Sequence, residues 1–305
     1  MTIAIAIHGG AGLSSKAKLS ADRQEACEHA LREAVLAGHH VLGKGGRAID
    51  AVIEAVVYLE DCPLFNAGRG SVFSAEGRNE MDASIMDGHT QQAGAIAGVL
   101  TPRNPIRGAH TVLEHSPHVL LSGAGADAYM ALHGLQQEPP EYFRTEERWN
   151  QLLRARGNQT IALDHDTENV YGTVGAVALD AQGHLAAGSS TGGMVNKEYG
   201  RLGDTPLIGA GTWADRRCAV GSTGHGEYFV RTHAAARVSN LMELGGYSLQ
   251  DAAHRVACEE VPALGGAGGL ICVDHHGHIA MPFSTGGMFR AAVHADGRVE
   301  VGVWP

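Results

Sequence analysis

The chain has 305 residues, enough for one large domain or two modest ones with a substantial core. Its formal net charge of −10 argues against a nucleic-acid partner or an anionic membrane surface. Its 42 glycines follow neither a collagen period nor a Ser/Gly linker, so they mark tight turns and close backbone approaches.

The opening run MTIAIAIHGGAG has no basic n-region and is too short for a signal peptide or a membrane span. It reads as a buried first strand over residues 2–7, running into HGGAG. A helix follows from Ala21 to Leu42, with Ala26, Ala30, Leu31, Ala34, Val35 and Val41 at helical spacing and Gly45-Gly46 as its stop. A second helix, Arg47–Leu59, carries Ile49, Val52, Ile53 and Val56 on one face. Asn104-Pro105 predicts the start of a third helix that ends before Pro117. HVLLSG at 118–123 predicts a short buried strand, and TEERWNQLLRAR at 145–156 a last helix before a patternless polar stretch.

The second half is organised differently. VGAVALD-AQGH-LAAGSSTGGM (174–194) has a near-copy in LICVD-HHGH-IAMPFSTGGM (270–288), and each predicts a β-hairpin with a glycine turn. AVHADGRVEVGVW (291–304) predicts a third. Helices are expected over 226–244 and 249–261, the latter opening on the capping-box pattern Ser248-x-x-Asp251. Strands cluster with strands and helices with helices, which predicts an α+β arrangement of stacked layers. Five widely spaced cysteines without CxxC fit a reducing cytoplasm. His39-His40 and the His275/His276/His278 group read as solvated residues rather than a zinc site.

Three chemistries can be weighed on the residues alone. GAGADA (123–128) imitates a dinucleotide fingerprint, but QQEPPEYF follows where a second parallel strand should lie. HGGAG (8–12) with GSSTG (188–192) imitates a serine hydrolase with Ser190 as nucleophile. That reading needs a helix directly after the serine, and GMVNKEYGRLGDTP does not supply one. The third is an N-terminal threonine hydrolase. A threonine hydroxyl needs an adjacent base, and a free α-amine with a pKa of about 8 can be that base. Exposing the amine of Thr173 requires cleavage after Gly172, whose missing side chain admits strained backbone angles and attack by the Thr173 hydroxyl.

GTVGAVALD, STGGM, GRLGDTPLIGAG and STGHGE closely resemble the plant-type L-asparaginase / isoaspartyl aminopeptidase family. So do HGGAG, GGRAIDAVIEAVVYLEDCPLFNAGRG (45–70), EMDASIMDG (80–88) and LGGAGGLICVD (264–274), in family order over essentially the whole chain. The resemblance implies an Ntn-hydrolase with a four-layer αββα sandwich that cuts itself into subunits of 1–172 and 173–305. A polar linker over about 157–172 would end the first subunit, and two cleaved pairs would form a dimer. It implies Thr173 as nucleophile, Thr191 as its hydrogen-bonding neighbour, and Thr223 (hydroxyl) and Gly224 (N–H) as oxyanion donors. Arg201 would grip the substrate α-carboxylate, Asp204 and the Gly226 carbonyl the α-ammonium. Asn66 would bear on the nucleophile's surroundings, and His225 lies between Gly224 and Gly226. The carbonyls of Leu59, Glu60, Cys62, Phe65, Ala67 and Arg69 would hold a structural sodium ion, with no cofactor needed for catalysis. The implied activity is release of L-aspartate from L-asparagine and from β-aspartyl dipeptides in the cytoplasm. A glycosylasparaginase-like activity and an uncleaved, non-catalytic family member are the alternatives.

Overall fold

Ile5 and Ile7 point to one side of the first strand and Ala4 and Ala6 to the other, and this difference in bulk organises the molecule. The computed structural model describes residues 2–13, 15–16, 19–157 and 172–305. The polar linker expected over about 157–172 lies outside them except at its two ends.

Twelve strands form two sheets among the described residues. Those of the larger sheet are β1 (Ala4–Leu13), β2 (Met81–Asp87), β3 (Ala93–Val99), β4 (Leu120–Ser122), β5 (Val174–Leu179) and β6 (Leu185–Thr191). The smaller sheet contains β7 (Thr212–Ala214), β8 (Cys218–Gly224), β9 (Gly268–Asp274) and β10 (Ile279–Ala280). The strands β11 (Gly287–Val293) and β12 (Val299–Gly302) return to the larger sheet. Its order is β12-β11-β1-β5-β6-β2-β3-β4, antiparallel except for β3–β4; the smaller runs β10-β9-β8-β7, all antiparallel.

Helices cover the outer face of each sheet. Against the larger pack α1 (Ala21–Gly43), α2 (Ala48–Asp61) and α3 (Pro105–His115), with α4 (Gly123–Leu132) near its edge. Two further pieces, α5 (Pro140–Phe143) and α6 (Glu146–Gly157), follow it. After β8 come α7 (Gly226–Thr232), α8 (Ala234–Gly245), α9 (Leu249–His254) and, past a π-helical turn at 255–260, α10 (Val261–Ala263). Both α8 and α9 pack on the smaller sheet. The protein is therefore a mixed α+β structure in which two sheets face each other. The layer between them mixes small residues (Ala4, Ala6, Ala187, Ala219, Ala292) with Val177, Leu179, Leu185, Ile271 and Val273, while the buried phenylalanines Phe65, Phe143, Phe229 and Phe289 lie in the helix-facing cores. Small side chains on the facing sides let two sheets interdigitate closely. No described helix is long and apolar enough to cross a membrane.

Several expectations need correction. The first strand does not stop before HGGAG: it continues to Leu13 through two irregularities, between His8 and Gly10 and between Ala11 and Leu13. The 118–123 strand is an exposed edge of three residues, not a buried one, because among the described residues no strand pairs with its outer side. The two hairpin copies diverge. The first pairs along its full length, while in the second β10 pairs over two residues and the chain then crosses to the larger sheet. The helix expected over 226–244 breaks at His233, which takes a left-handed backbone (φ 49°). At 249–261 the capping box forms as expected, with Ser248 Oγ accepting from the Asp251 N–H at 3.1 Å.

Candidate active site

The antiparallel register of β5 and β6 places Val174 opposite Ser190, so Thr173 and Thr191 meet where the two strands end. Across the gap between sheets, the end of β8 brings Thr223 and Gly224 to the same place. The backbone N–H of Ala11 in β1 donates to Thr223 Oγ1 at 3.2 Å and ties the two sheets there. That bond uses the oxygen of Thr223 as acceptor and leaves its O–H proton to be donated elsewhere.

A small, partly open cavity lies at this point. Of the residues expected from the sequence, Gly172, Thr173, Thr191, Arg201, Asp204 and Gly224 line it. Gly193, Met194, Gly203 and Thr205 complete the wall. Thr223, Gly226 and Asn66 are buried outside this lining, and His225 is half-buried at the N-cap of α7, edge-on to Tyr228. GSSTG, by contrast, lies within and just past β6, with Ser190 fully buried in register with Ala83 and Val174. There is no strand-to-helix elbow, so the serine-hydrolase reading is overturned. GAGADA likewise follows the three-residue edge strand β4, and among the described residues no parallel strand after α4 pairs with it, so the unit that a dinucleotide fold needs is not formed.

Thr173 is 8 % exposed. Its hydroxyl lies 3.3 Å from that of Thr205, while Thr191, its expected partner, lines the same cavity. The Thr191 oxygen accepts from the Gly193 N–H at 3.0 Å. His8 holds the backbone of Thr173: its Nδ1 is 2.8 Å from the Thr173 carbonyl, which can only accept, so Nδ1 carries the proton. Burial pushes this imidazole down to about 4, which keeps it neutral. Gly10, two residues on, has φ +115°, and a Cβ there would overlap Gly172 N and fall 2.8 Å from Gly172 Cα. The HGGAG segment thus serves as the surface on which the Gly172–Thr173 bond rests.

Asn66 fixes the turn after β6. Its Nδ2 donates to the Gly193 carbonyl (2.8 Å), and its Oδ1 accepts from the Val72 N–H (2.9 Å). Beneath that turn the buried Lys197 donates to the Glu80 carbonyl at 2.8 Å, and Asp82, also buried, attracts it. Neither Thr205 nor Lys197 was found from sequence. A lone Thr after the Asp of GRLGDTP and a Lys in a polar loop give no periodic or spacing signal.

The charged pair is asymmetric. Arg201 makes a bidentate ion pair with Glu227 at 2.8 and 2.9 Å. Asp204 is 3 % exposed, and burial pushes its carboxyl up to about 7, with its own backbone N–H and Arg201 pulling the other way. Arg201 Nη2 and Asp204 Oδ1 both lie within 3 Å of the point where a Gly226 Cβ would stand, at 2.9 and 2.8 Å. Only glycine there leaves the two charges room to act side by side.

At the far end of α2, Leu59 and Glu60 lie in the last turn, whose carbonyls have no intrahelical partner and which carries no basic residue. The chain then winds tightly: a Gly68 Cβ would fall 2.5 Å from the Glu60 carbonyl oxygen, and a Gly70 Cβ would overlap that of Phe65. Hard, neutral oxygens at the negative end of a helix fit a monovalent cation.

A family model described as Asparaginase matches residues 1–303. The chain belongs to this family. Among similar proteins is one named Isoaspartyl peptidase from Salmonella typhimurium, 49 % identical over 306 residues, covering 98 % of both chains. Another of that name, from Escherichia coli K12, is 48 % identical over 98 % of this chain and 95 % of its own. A rat protein named Isoaspartyl peptidase/L-asparaginase is 40 % identical over 99 % of this chain and 89 % of its own. The match to the asparaginase family runs through both sides of the Gly172–Thr173 bond, so the cavity and both sheets that build it fall inside it.

Proposed function

We propose that this chain is an Ntn-hydrolase that cuts itself between Gly172 and Thr173 and then releases L-aspartate from L-asparagine and from β-aspartyl dipeptides. The observation that carries the reading is the cavity itself. It holds a Gly-Thr bond at the head of a buried strand, facing an arginine and a buried aspartate. In the cutting step Thr173 Oγ adds to the Gly172 carbonyl carbon, its proton passes to the Thr173 nitrogen, and the C–N bond breaks. Water then hydrolyses the ester, giving the Gly172 carboxylate and a Thr173 with free hydroxyl and amine.

In turnover the Thr173 amine takes the hydroxyl proton as Oγ attacks the substrate's side-chain carbonyl. The oxyanion is held by the Thr223 hydroxyl and the Gly224 N–H, donors of the kind whose loss costs about 10²–10³ in rate. Collapse expels ammonia or an amino acid, which takes the proton from the amine, and water cleaves the remaining β-aspartyl ester. Arg201 binds the α-carboxylate and Asp204, with the Gly226 carbonyl, the α-ammonium; the Thr191 hydroxyl adjoins the nucleophile and Asn66 holds its surroundings. The chain then consists of residues 1–172 and 173–305, in a four-layer αββα arrangement, assembled as a dimer of cleaved pairs. The carbonyls of Leu59, Glu60, Cys62, Phe65, Ala67 and Arg69 hold a sodium ion whose role is structural.

The test is aspartate release from L-asparagine and β-Asp-Leu by wild type and by Thr173→Ala. Wild type should turn over at least one of them and the variant neither. Turnover that survives Thr173→Ala would sink the reading.

A further inference from the structure

Arg201 spends only one edge of its guanidinium on Glu227. Nε donates to Oε1 at 2.8 Å and Nη2 to Oε2 at 2.9 Å, which uses two of the five N–H groups. Of the remaining three, one on Nη1 and one on Nη2 form the adjoining edge, which can fork a second carboxylate in the same plane. That edge is turned inward. Nη1 lies 2.9 and 3.6 Å from the Cβ positions that Gly203 and Gly193 lack, and both glycines are in the cavity wall. Glu227 stands outside the wall, half exposed, in the first turn of α7 directly after Gly226.

The alternative partner for Arg201 is close at hand. Its Nη2 and the Asp204 Oδ1 flank the same point beside Gly226. Asp204 is buried, and the opposite charge of Arg201 already favours its ionised form. If Arg201 closed on Asp204, the cation meant for the substrate carboxylate and the anion meant for its ammonium would neutralise each other. A long arginine side chain loses considerable rotamer freedom when it is held in one place, so a fixed aim needs a fixed partner.

We propose that Glu227 is a positioning residue for substrate recognition: it grips the Nε/Nη2 edge of Arg201, aims the Nη1/Nη2 edge at the substrate α-carboxylate, and keeps Arg201 off Asp204. This rests on the hydrolase reading above. Glu227 does not touch the substrate. It sets how well an aspartyl unit with a free α-carboxylate is told from one without.

The experiment compares wild type, Glu227→Gln and Glu227→Asp on L-asparagine and on L-asparaginamide, whose α-carboxylate is replaced by an uncharged amide. In Glu227→Gln the KM for asparagine should rise roughly tenfold, the order for one charge-assisted hydrogen bond, with kcat within about twofold. The asparaginamide kinetics should change little, and Glu227→Asp should recover part of the loss. Self-cleavage and melting temperature should match wild type in both variants, which separates positioning from support of the fold. A KM for asparagine that falls would mean Glu227 competes with substrate, and one that stays the same would mean it has no role; either overturns the proposal. An equal loss on both substrates would also overturn it. If wild type itself turns over no aspartyl substrate, the hydrolase reading fails and takes this proposal with it.

Discussion

Replacing Asp204 by Asn separates what this residue contributes to binding from what it costs the empty protein. Its carboxyl is buried, and its pKa is carried from the ordinary 3.8 up to about 7, burial being the largest cause. A folded-state pKa raised above the unfolded one means stability that is full below about pH 4 and lost as pH rises through 7. Each tenfold in proton affinity is worth about 1.4 kcal/mol, so ionised Asp204 costs the empty folded protein about 4 kcal/mol above pH 7. Asn has no charge to desolvate, so Asp204→Asn should melt several degrees higher than wild type at pH 8. The advantage should shrink steadily towards pH 4. Turnover should move the other way, because an amide cannot pair with the α-ammonium. In wild type the KM for asparagine should rise as pH falls below 7 and Asp204 takes up its proton. Thermal melts from pH 4 to 9, with KM measured over the same range, read both effects. A variant that melts below wild type at pH 8, or a gap that does not depend on pH, would refute the reasoning.

Two further expectations are simpler. Thr205→Val removes the hydroxyl 3.3 Å from Thr173 Oγ1, and keeps the backbone carbonyl that accepts from Ser84 Oγ at 2.5 Å. Self-cleavage followed over time should slow by roughly tenfold with an unchanged melt, while Thr205→Ser retains the wild-type rate; equal rates in all three would remove Thr205 from the site. Exchanging sodium chloride for choline chloride at equal ionic strength should lower the apparent melting temperature and leave kcat alone, since the role expected for the cation at 59–69 is structural. A change in kcat without a change in melting would mean the ion acts on the chemistry.

Much of this architecture could be read from the chain because its signals are local. The alternation of Ile and Ala in the first strand, the Ser248 cap and the helical spacing through Leu31 and Val35 each follow from neighbours in sequence, and each recurs in the structure. The end of a strand was harder to read. HGGAG looks like a loop because glycine weakens strands, yet sheet pairing on both sides carries His8 into β1, and tertiary packing overrides propensity. The hairpin copies at 174 and 270 share residues but not partners, since the sheet each joins is decided by contacts far away in sequence. In the site, Thr173, Thr191, Arg201, Asp204 and Gly224 were legible through short motifs and do meet in one cavity. Which hydroxyl faces Thr173, and that Arg201 pairs with Glu227 rather than Asp204, depend on how the 192–211 loop folds back, which no spacing records.

The central claim is that Thr173 becomes an N-terminal residue. The most direct measurement is an intact-mass spectrum of the purified protein over time, with N-terminal sequencing of the fragments. The account predicts two pieces of about 18 and 14 kDa, the 31.9 kDa chain divided 172 to 133 residues, the smaller beginning Thr-Val-Gly. A chain that remains at 31.9 kDa while hydrolysing asparagine would leave the Thr173 amine in a peptide bond and contradict the mechanism.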